Sequence, residues 1–481
     1  MDGPLRSYTS FDLLQETGRM AQALTELGVR PGDRVAVQVE KSAANLILYL
    51  ATLRAGAVYL PLNTAYTLPE LAYFLQDADP ALVVCDPAVR QGVATVCAGA
   101  VLETMDADGE GSLAGRADAA SGAFETVARA ADDLAAICYT SGTTGRSKGA
   151  MLTHRALATN AEALIDLWRF TPEDVLIHAL PLYHVHGLFV ATNVALMAGA
   201  SMILQARFEP KAITEAMARG TVLMGIPTYY RRLLAHAPFN RAAAKGMRLF
   251  ISGSAPLLET THAEFEARTG HAILERYGMT ETGMNASNPY DGVRRAGTVG
   301  FALPGVALRI ADPVTGESLA PGQVGVIEVK GPNVCLGYWR NEEKTREAFR
   351  ADGYFITGDL GVTDAAGYLS IVGRDKDLII TGGLNVYPKE VEALIDAVDG
   401  VIESAVIGLP HADFGEAVTA VAVLAKGAGA PSEADILGHL AGRLARFKQP
   451  KRILFASELP RNAMGKVQKA TLRDAWRGLY D

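Results

Sequence analysis

Short apolar runs alternate with helical periodicity along most of this chain, and that alternation constrains the fold more than any other feature. Residues 34–39, 58–61, 81–85, 175–178, 201–204, 221–225 and 248–252 each read as a strand, with helical patterns between them. Such alternation predicts α/β layers with mostly parallel sheets, because a parallel pair needs a crossover and a helix supplies it. Between residues 297 and 371 short strands are punctuated by Gly, Pro and Asp, which predicts a β-rich subdomain. Gly373-Arg-Asp-Lys-Asp377 then marks a boundary. Beyond it, a helix near residues 388–397 and strands near 404–407 and 419–424 predict an α+β unit. The expected organisation is a large N-terminal domain over residues 1–374, with layered α/β subdomains plus the β-rich one. A small C-terminal domain over residues 375–481 follows.

Charge and cysteine usage exclude several function classes. A net charge of −8 argues against broad binding of nucleic acid or an anionic membrane. From Arg443 to Asp481, however, ten Lys/Arg face three acids, a local patch that suits either phosphate groups or plain solvent. Cys85, Cys97, Cys138 and Cys335 are scattered without paired spacing, as expected of reduced core residues in a cytoplasmic protein. Met1-Asp-Gly-Pro4 lacks the basic and apolar parts of a signal peptide. The apolar run over residues 188–204 is broken by Thr192, Asn193, Gly199 and Ser201, so a buried helix followed by a strand is expected rather than a membrane span.

One segment carries chemistry on its face. After the strand pattern at residues 134–137 comes Cys138-Tyr-Thr-Ser-Gly-Thr-Thr-Gly-Arg-Ser-Lys-Gly-Ala150. Gly142, Gly145 and Gly149 permit close backbone approach, Thr140, Ser141, Thr143 and Thr144 offer hydroxyls, and Lys148 adds a charge. Backbone N–H groups in such a nest suit a polyphosphate. The spacing is not that of a Walker A loop, since Lys148 precedes its glycine. Composition alone leaves a surface turn as an equal alternative.

Further strings follow in order: Pro181-Leu-Tyr-His-Val-His-Gly187, Ser252-Gly-Ser-Ala-Pro256, Arg276-Tyr-Gly-Met-Thr-Glu281, Thr357-Gly-Asp359, Gly373-Arg374 and Pro460-Arg-Asn-Ala-Met-Gly-Lys466. This ordered set resembles the adenylate-forming superfamily over nearly the whole chain. That family includes acyl-CoA synthetases, firefly luciferase and the adenylation domains of peptide synthetases. The resemblance implies that a carboxylate attacks the α-phosphate of ATP, expels pyrophosphate and passes its acyl group to coenzyme A. It implies ATP contacts from Thr140, Ser141, Gly142, Thr143, Thr144, Gly145 and Lys148 in the loop. It also implies contacts from Gly253, Ser254 and Ala255 along the adenine edge, Tyr277 on the ring, and Asp359 and Arg374 at the ribose and phosphates. Thr280 is expected to reach the α-phosphate, and Glu281 to hold Mg2+, a hard cation that suits a carboxylate with phosphate oxygens. A single lysine is ordinarily a solvated surface residue, but the register of Gly465-Lys466 matches the family's catalytic lysine. Its compact, flexible cation can bridge carboxylate and phosphate. The resemblance further implies a mobile C-terminal domain with a hinge at Lys376, and a thiol tunnel lined by Gly382 and Gly383 after rotation.

The acid is partly legible. The stretches at residues 226–234, 249–257 and 275–289 resemble the malonate-activating members of the family. Arg232 and Arg276, with Ser254, are expected to hold a short dicarboxylate, since guanidinium offers a fork matched to a carboxylate. Methylmalonate is an expected second substrate. His184 is expected to gate the pocket, and His186 to shape it. With only fifteen residues after Lys466 and no carrier domain, free coenzyme A is the expected acceptor. The alternatives are a synthetase for another short or aromatic carboxylate, a luciferase-type oxygenation, and a non-catalytic adenylate-binding module. The last conflicts with Lys466, Glu281 and Asp359 all being present.

Overall fold

The computed structural model describes residues 7–97, 99–140, 147–425, 430–462 and 464–480. Four sheets organise it. The first is laid down in the order Val101–Thr104, Leu82–Cys85, Arg34–Gln38, Val58–Pro61, Leu134–Thr140 and Lys148–Thr153. Its first five strands run parallel and the last is antiparallel. The second sheet holds Val175–His178, Ser201–Leu204, Val222–Gly225, Leu249–Ser252 and Leu274–Met279 in parallel, closed by antiparallel Gly283–Ser287 and Phe301–Ala302. Runs such as Leu82–Cys85 and Val222–Gly225 are buried at every position, because helices cover both faces of a parallel sheet. Helix starts are set by the chain itself: Thr9 with Asp12, and Ser432 with Asp435, each close a capping box.

A four-stranded antiparallel sheet spans Ala307–Ala311, Gly325–Lys330, Phe355–Thr363 and Leu369–Arg374. This is the β-rich region expected from the Gly/Pro/Asp punctuation. At Arg374 the chain leaves it through a single 3-10 turn, Asp375–Asp377. It then enters the fourth sheet, built on the long hairpin Val401–His411 and Gly415–Leu424. That sheet has its own core. Val406, Val418, Ala420 and Ala422 pack on one face with Ile395 and Ile436, and Ala405, Ile407, Val421 and Val423 on the other with Leu459 and Leu472. Successive strand residues serve opposite faces, so one hairpin carries two apolar layers. The whole is a large α/β unit with a β-rich sheet, followed by a small α+β unit.

The apolar run over residues 188–204 forms a buried π-helical turn, His186–Thr192, then a helix, Asn193–Met197, then the strand Ser201–Leu204. No helix among the described residues is long and apolar enough to cross a membrane.

Candidate active site

The carboxyl ends of the parallel strands converge on one crevice, as expected for open α/β sheets. From the second sheet come Ile226 and Pro227 after Val222–Gly225, Gly253 and Ser254 after Leu249–Ser252, and Arg276 and Tyr277 in Leu274–Met279. Arg276 is the most unusual of these. It is buried at 4 % exposure, and its Nε and Nη2 have no hydrogen-bond partner among the described residues. Burial pushes its guanidinium down to about 9. A buried unpaired charge costs several kcal/mol, roughly, and is retained only where something binds it.

Three polar side chains share this chamber. Ser254, held at a positive φ of 71°, lies 3.2 Å from His186 Nδ1 through its Oγ. His186 Nε2 is buried without a partner among the described residues. Burial, then Arg276, then Lys466 push His184 down to about 4, and burial with Arg276 likewise pushes His186 well below its ordinary value. Both imidazoles are therefore neutral near pH 7. Beneath them His178 bonds the Gly187 carbonyl through Nε2 at 2.9 Å, and Lys41 Nζ donates to its Nδ1 at 3.0 Å. This pair anchors the π-helical turn that begins at His186, and no sequence motif pointed to it.

Arg232 occupies a different environment from Arg276. It is exposed on the helix Pro227–Leu234, with its guanidinium 5.1 Å from the Phe208 ring centroid. Phe208 in turn stacks on Tyr229 at 3.9 Å. The two arginines expected to act together occupy different environments, one enclosed and one at the surface.

Between the second and third sheets, Tyr277 donates from its hydroxyl to Asp359 at 2.6 Å, and Arg374 pairs with the other carboxylate oxygen at 3.1 Å. Asp359 and Arg374 face each other across neighbouring strands, which fixes the pair. Lys466 arrives from the C-terminal unit. Burial, then the charge of Arg374, pushes its ammonium down to about 8, with Asp359 acting the other way. Gly465 brings the backbone close: a Cβ there would stand 3.3 Å from Thr228 and 3.4 Å from Ile226. A tight turn presents the lysine, with Asn462 Oδ1 accepting from the Lys466 N–H at 2.9 Å.

At the phosphate-loop end, Glu281 is buried and accepts from Tyr338 at 3.1 Å and from Thr140 at 3.3 Å. Burial pushes its carboxyl up, while Tyr338, Lys148 and Thr140 work against that. Lys148 Nζ stands 4.1 Å over the Tyr338 ring. The strands flanking the loop pair antiparallel, Thr140 with Lys148 and Tyr139 with Gly149. Ser141, Gly142, Thr143, Thr144 and Gly145 lie outside the described residues. Thr280 sits half-buried at the turn between Leu274–Met279 and Gly283–Ser287. Tyr338 escaped sequence reasoning because its segment meets Gly149–Met151 only through tertiary pairing, with Trp339 N–H donating to the Gly149 carbonyl and Met151 N–H to the Gly337 carbonyl. Ala255, half-buried, follows Ser254. Lys376 is exposed in the 3-10 turn, and Gly382 and Gly383, at φ of 57° and 79°, form an exposed hairpin tip.

The arrangement holds an enclosed guanidinium, a lysine supplied by the C-terminal unit, a carboxylate paired with a tyrosine and an arginine, and a buried acid hydrogen-bonded to Thr140. Those are the parts needed to hold a small anion against a nucleotide phosphate. The AMP-binding enzyme model matches residues 2–339, and the AMP-binding enzyme C-terminal domain matches residues 390–466. Feruloyl-CoA synthase of Amycolatopsis sp is 36% identical, over 97% of this chain and 94% of that protein. Malonate–CoA ligase of Arabidopsis thaliana is 35% identical, over 95% of this chain and 80% of that one. The crystal structure of ATP-bound MatB from Rhodopseudomonas palustris superposes with a TM-score of 0.96 at 61% identity, covering 98% of this chain and 94% of that one. The chain belongs to the AMP-binding enzyme family and is an adenylate-forming acid–thiol ligase of the acyl-CoA synthetase type.

Proposed function

We propose that this enzyme is an ATP-dependent malonate–CoA ligase that also accepts methylmalonate. The observation that carries the proposal is the buried Arg276, whose Nε and Nη2 lack partners among the described residues. An acid with one carboxylate would leave that guanidinium unpaired in the complex. A short dicarboxylate pairs it with one end and offers the other end to ATP. Arg232, exposed on the helix Pro227–Leu234, is proposed as a second, weaker attraction for the acid. Similarity to a malonate–CoA ligase and to MatB supports the choice. Relatives that act on aromatic acids lie at comparable identity to the plant enzyme, so family membership alone does not select the acid.

In the first half-reaction one malonate carboxylate oxygen attacks the α-phosphorus of ATP, and the bond to pyrophosphate breaks. Lys466 is proposed to bridge the attacking oxygen and the phosphoryl oxygens, where negative charge concentrates. Arg374 and Asp359 hold the ribose side, with Tyr277 fixing Asp359 and flanking the adenine. Gly253, Ser254 and Ala255 border its edge. Thr280, Thr140, Lys148 and the loop at residues 141–145 take the phosphates. The Glu281 carboxylate, buried beside Tyr338 and Thr140, would suit a Mg2+ ion brought with the nucleotide, and among the described residues no three-ligand cluster stands ready. Such an ion supplies charge neutralisation at the phosphates. In the second half-reaction the domain beyond residue 374 turns about Lys376, withdraws Lys466 and brings Gly382 and Gly383 to the thiol channel. The coenzyme A sulfur then attacks the acyl carbon and AMP leaves. His184 is proposed to gate that channel as a neutral imidazole. Four cysteines free of disulfides suit a cytoplasmic setting.

The test is a panel of malonate, methylmalonate, acetate, octanoate and benzoate, scored for both pyrophosphate and thioester. Malonate should be used best. Equal or better use of acetate or benzoate would overturn the assignment of the acid.

A further inference from the structure

A single carboxylate ties the two domains together beside the lysine. Glu403, on the strand Val401–His411 of the C-terminal unit, has a side chain only 12% exposed. Its Oε2 accepts from Arg231 Nη1 at 2.7 Å, across the domain boundary. The same oxygen accepts from Arg461 Nη2, within its own domain. Arg461 also donates through Nη1 to the carbonyl of Gly465, the residue before Lys466. Arg231 belongs to the helix Pro227–Leu234, whose first turn includes Thr228, and Gly465 is seated against Thr228 and Ile226. Charged hydrogen bonds of this kind fix direction as well as distance.

We infer that Arg231, Glu403 and Arg461 form a positioning relay that sets Lys466 for adenylation and parts at Arg231 when the domain turns. The inference rests on the proposed roles of Lys466 and of the rotation. Arg461 and Glu403 travel together, since both belong to the C-terminal unit. The Arg231–Glu403 bond is the member of the relay that must break. The relay therefore favours the first half-reaction and opposes the second. None of its members is among the groups proposed to hold ATP or the acid, so they act through the placement of Lys466.

The two half-reactions are measured separately, as carboxylate-dependent pyrophosphate release and as thioester formation from supplied acyl-adenylate and coenzyme A. Arg231→Met should slow pyrophosphate release on the order of tenfold to a hundredfold, as a small misplacement of a catalytic group does. The KM for ATP should hold, and thioester formation should keep its rate or rise. Arg231→Lys should restore most of the first half-reaction, and Glu403→Gln should show the same split as Arg231→Met. Unchanged pyrophosphate release in Arg231→Met, or equal loss in both half-reactions, would overturn the relay. Lys466→Ala is measured alongside. If it retains adenylation, the underlying role of Lys466 falls; if it abolishes adenylation while Arg231→Met does not, the relay alone falls.

Discussion

The guanidinium of Arg276 lies directly against the α-carbon of Gly253: a methyl group built there would stand 2.3 Å from the arginine Cζ. Glycine at 253 is thus a condition for the enclosed cation. Gly253→Ala should push the guanidinium out of place and raise the KM for malonate about tenfold or more, as loss of a charged contact does. Steady-state kinetics check this, with the melting temperature as control for folding.

Arg276 itself trades stability for binding. Replacing an uncompensated buried charge by an apolar side chain is often stabilising by about 1–4 kcal/mol. Arg276→Met should therefore raise the melting temperature of the ligand-free protein while lowering kcat/KM for malonate by roughly 10²-fold, an amount typical of a lost charged hydrogen bond. Arg232→Leu should lower malonate use less, because its side chain is exposed and already rests on Phe208. A larger loss at Arg232 than at Arg276 would reverse the assigned order.

Lys466 has its ammonium pushed down to about 8 by burial and by Arg374. It must be protonated to bridge anions, so its contribution is present below that pH and is lost as pH rises through it. The kcat/KM profile for adenylation, which reports the free enzyme, should fall above about pH 8. In Lys466→Arg the residual activity should lose that limb, since guanidinium stays charged.

Glu281 works in the opposite sense. Burial raises its carboxyl, and the Tyr338 hydroxyl is one of the groups that holds it down. Activity that needs the carboxylate is lost as pH falls through its value. Tyr338→Phe should move the acid limb to higher pH and raise the Mg2+ concentration needed for half-maximal rate. A titration of rate against Mg2+ at two pH values measures both.

Lys376 lies in the 3-10 turn between the third and fourth sheets. Lys376→Pro would fix φ at that point. Thioester formation should fall while adenylation continues, measured as AMP-bound acyl product accumulating without thioester. Equal loss of both would remove the hinge role.

Most of the parallel strands were legible in the chain because a strand covered on both faces is apolar at every position. Leu82–Cys85 and Val222–Gly225, buried at every position, fall within the apolar runs at residues 81–85 and 221–225. The terminal hairpin was read too short, as 404–407 and 419–424 against Val401–His411 and Gly415–Leu424. Its outer residues, among them Glu403 and Pro410, are polar or turn-like and pair through the backbone regardless.

The sequence by itself determined the family, the order of the elements and the inventory of chemical groups, since motif spacing and apolar periodicity are local properties of the chain. Which groups meet was decided by tertiary structure. Arg232 and Arg276 carry the same side chain, yet one is solvated on a helix and the other is enclosed against Gly253 at a strand end. Tyr338 and Glu281, or Arg231 and Glu403, are far apart in sequence and become neighbours only when sheets and domains pack. Burial then changes what each group is, because a charge removed from water holds its partners strongly or goes without them at a cost.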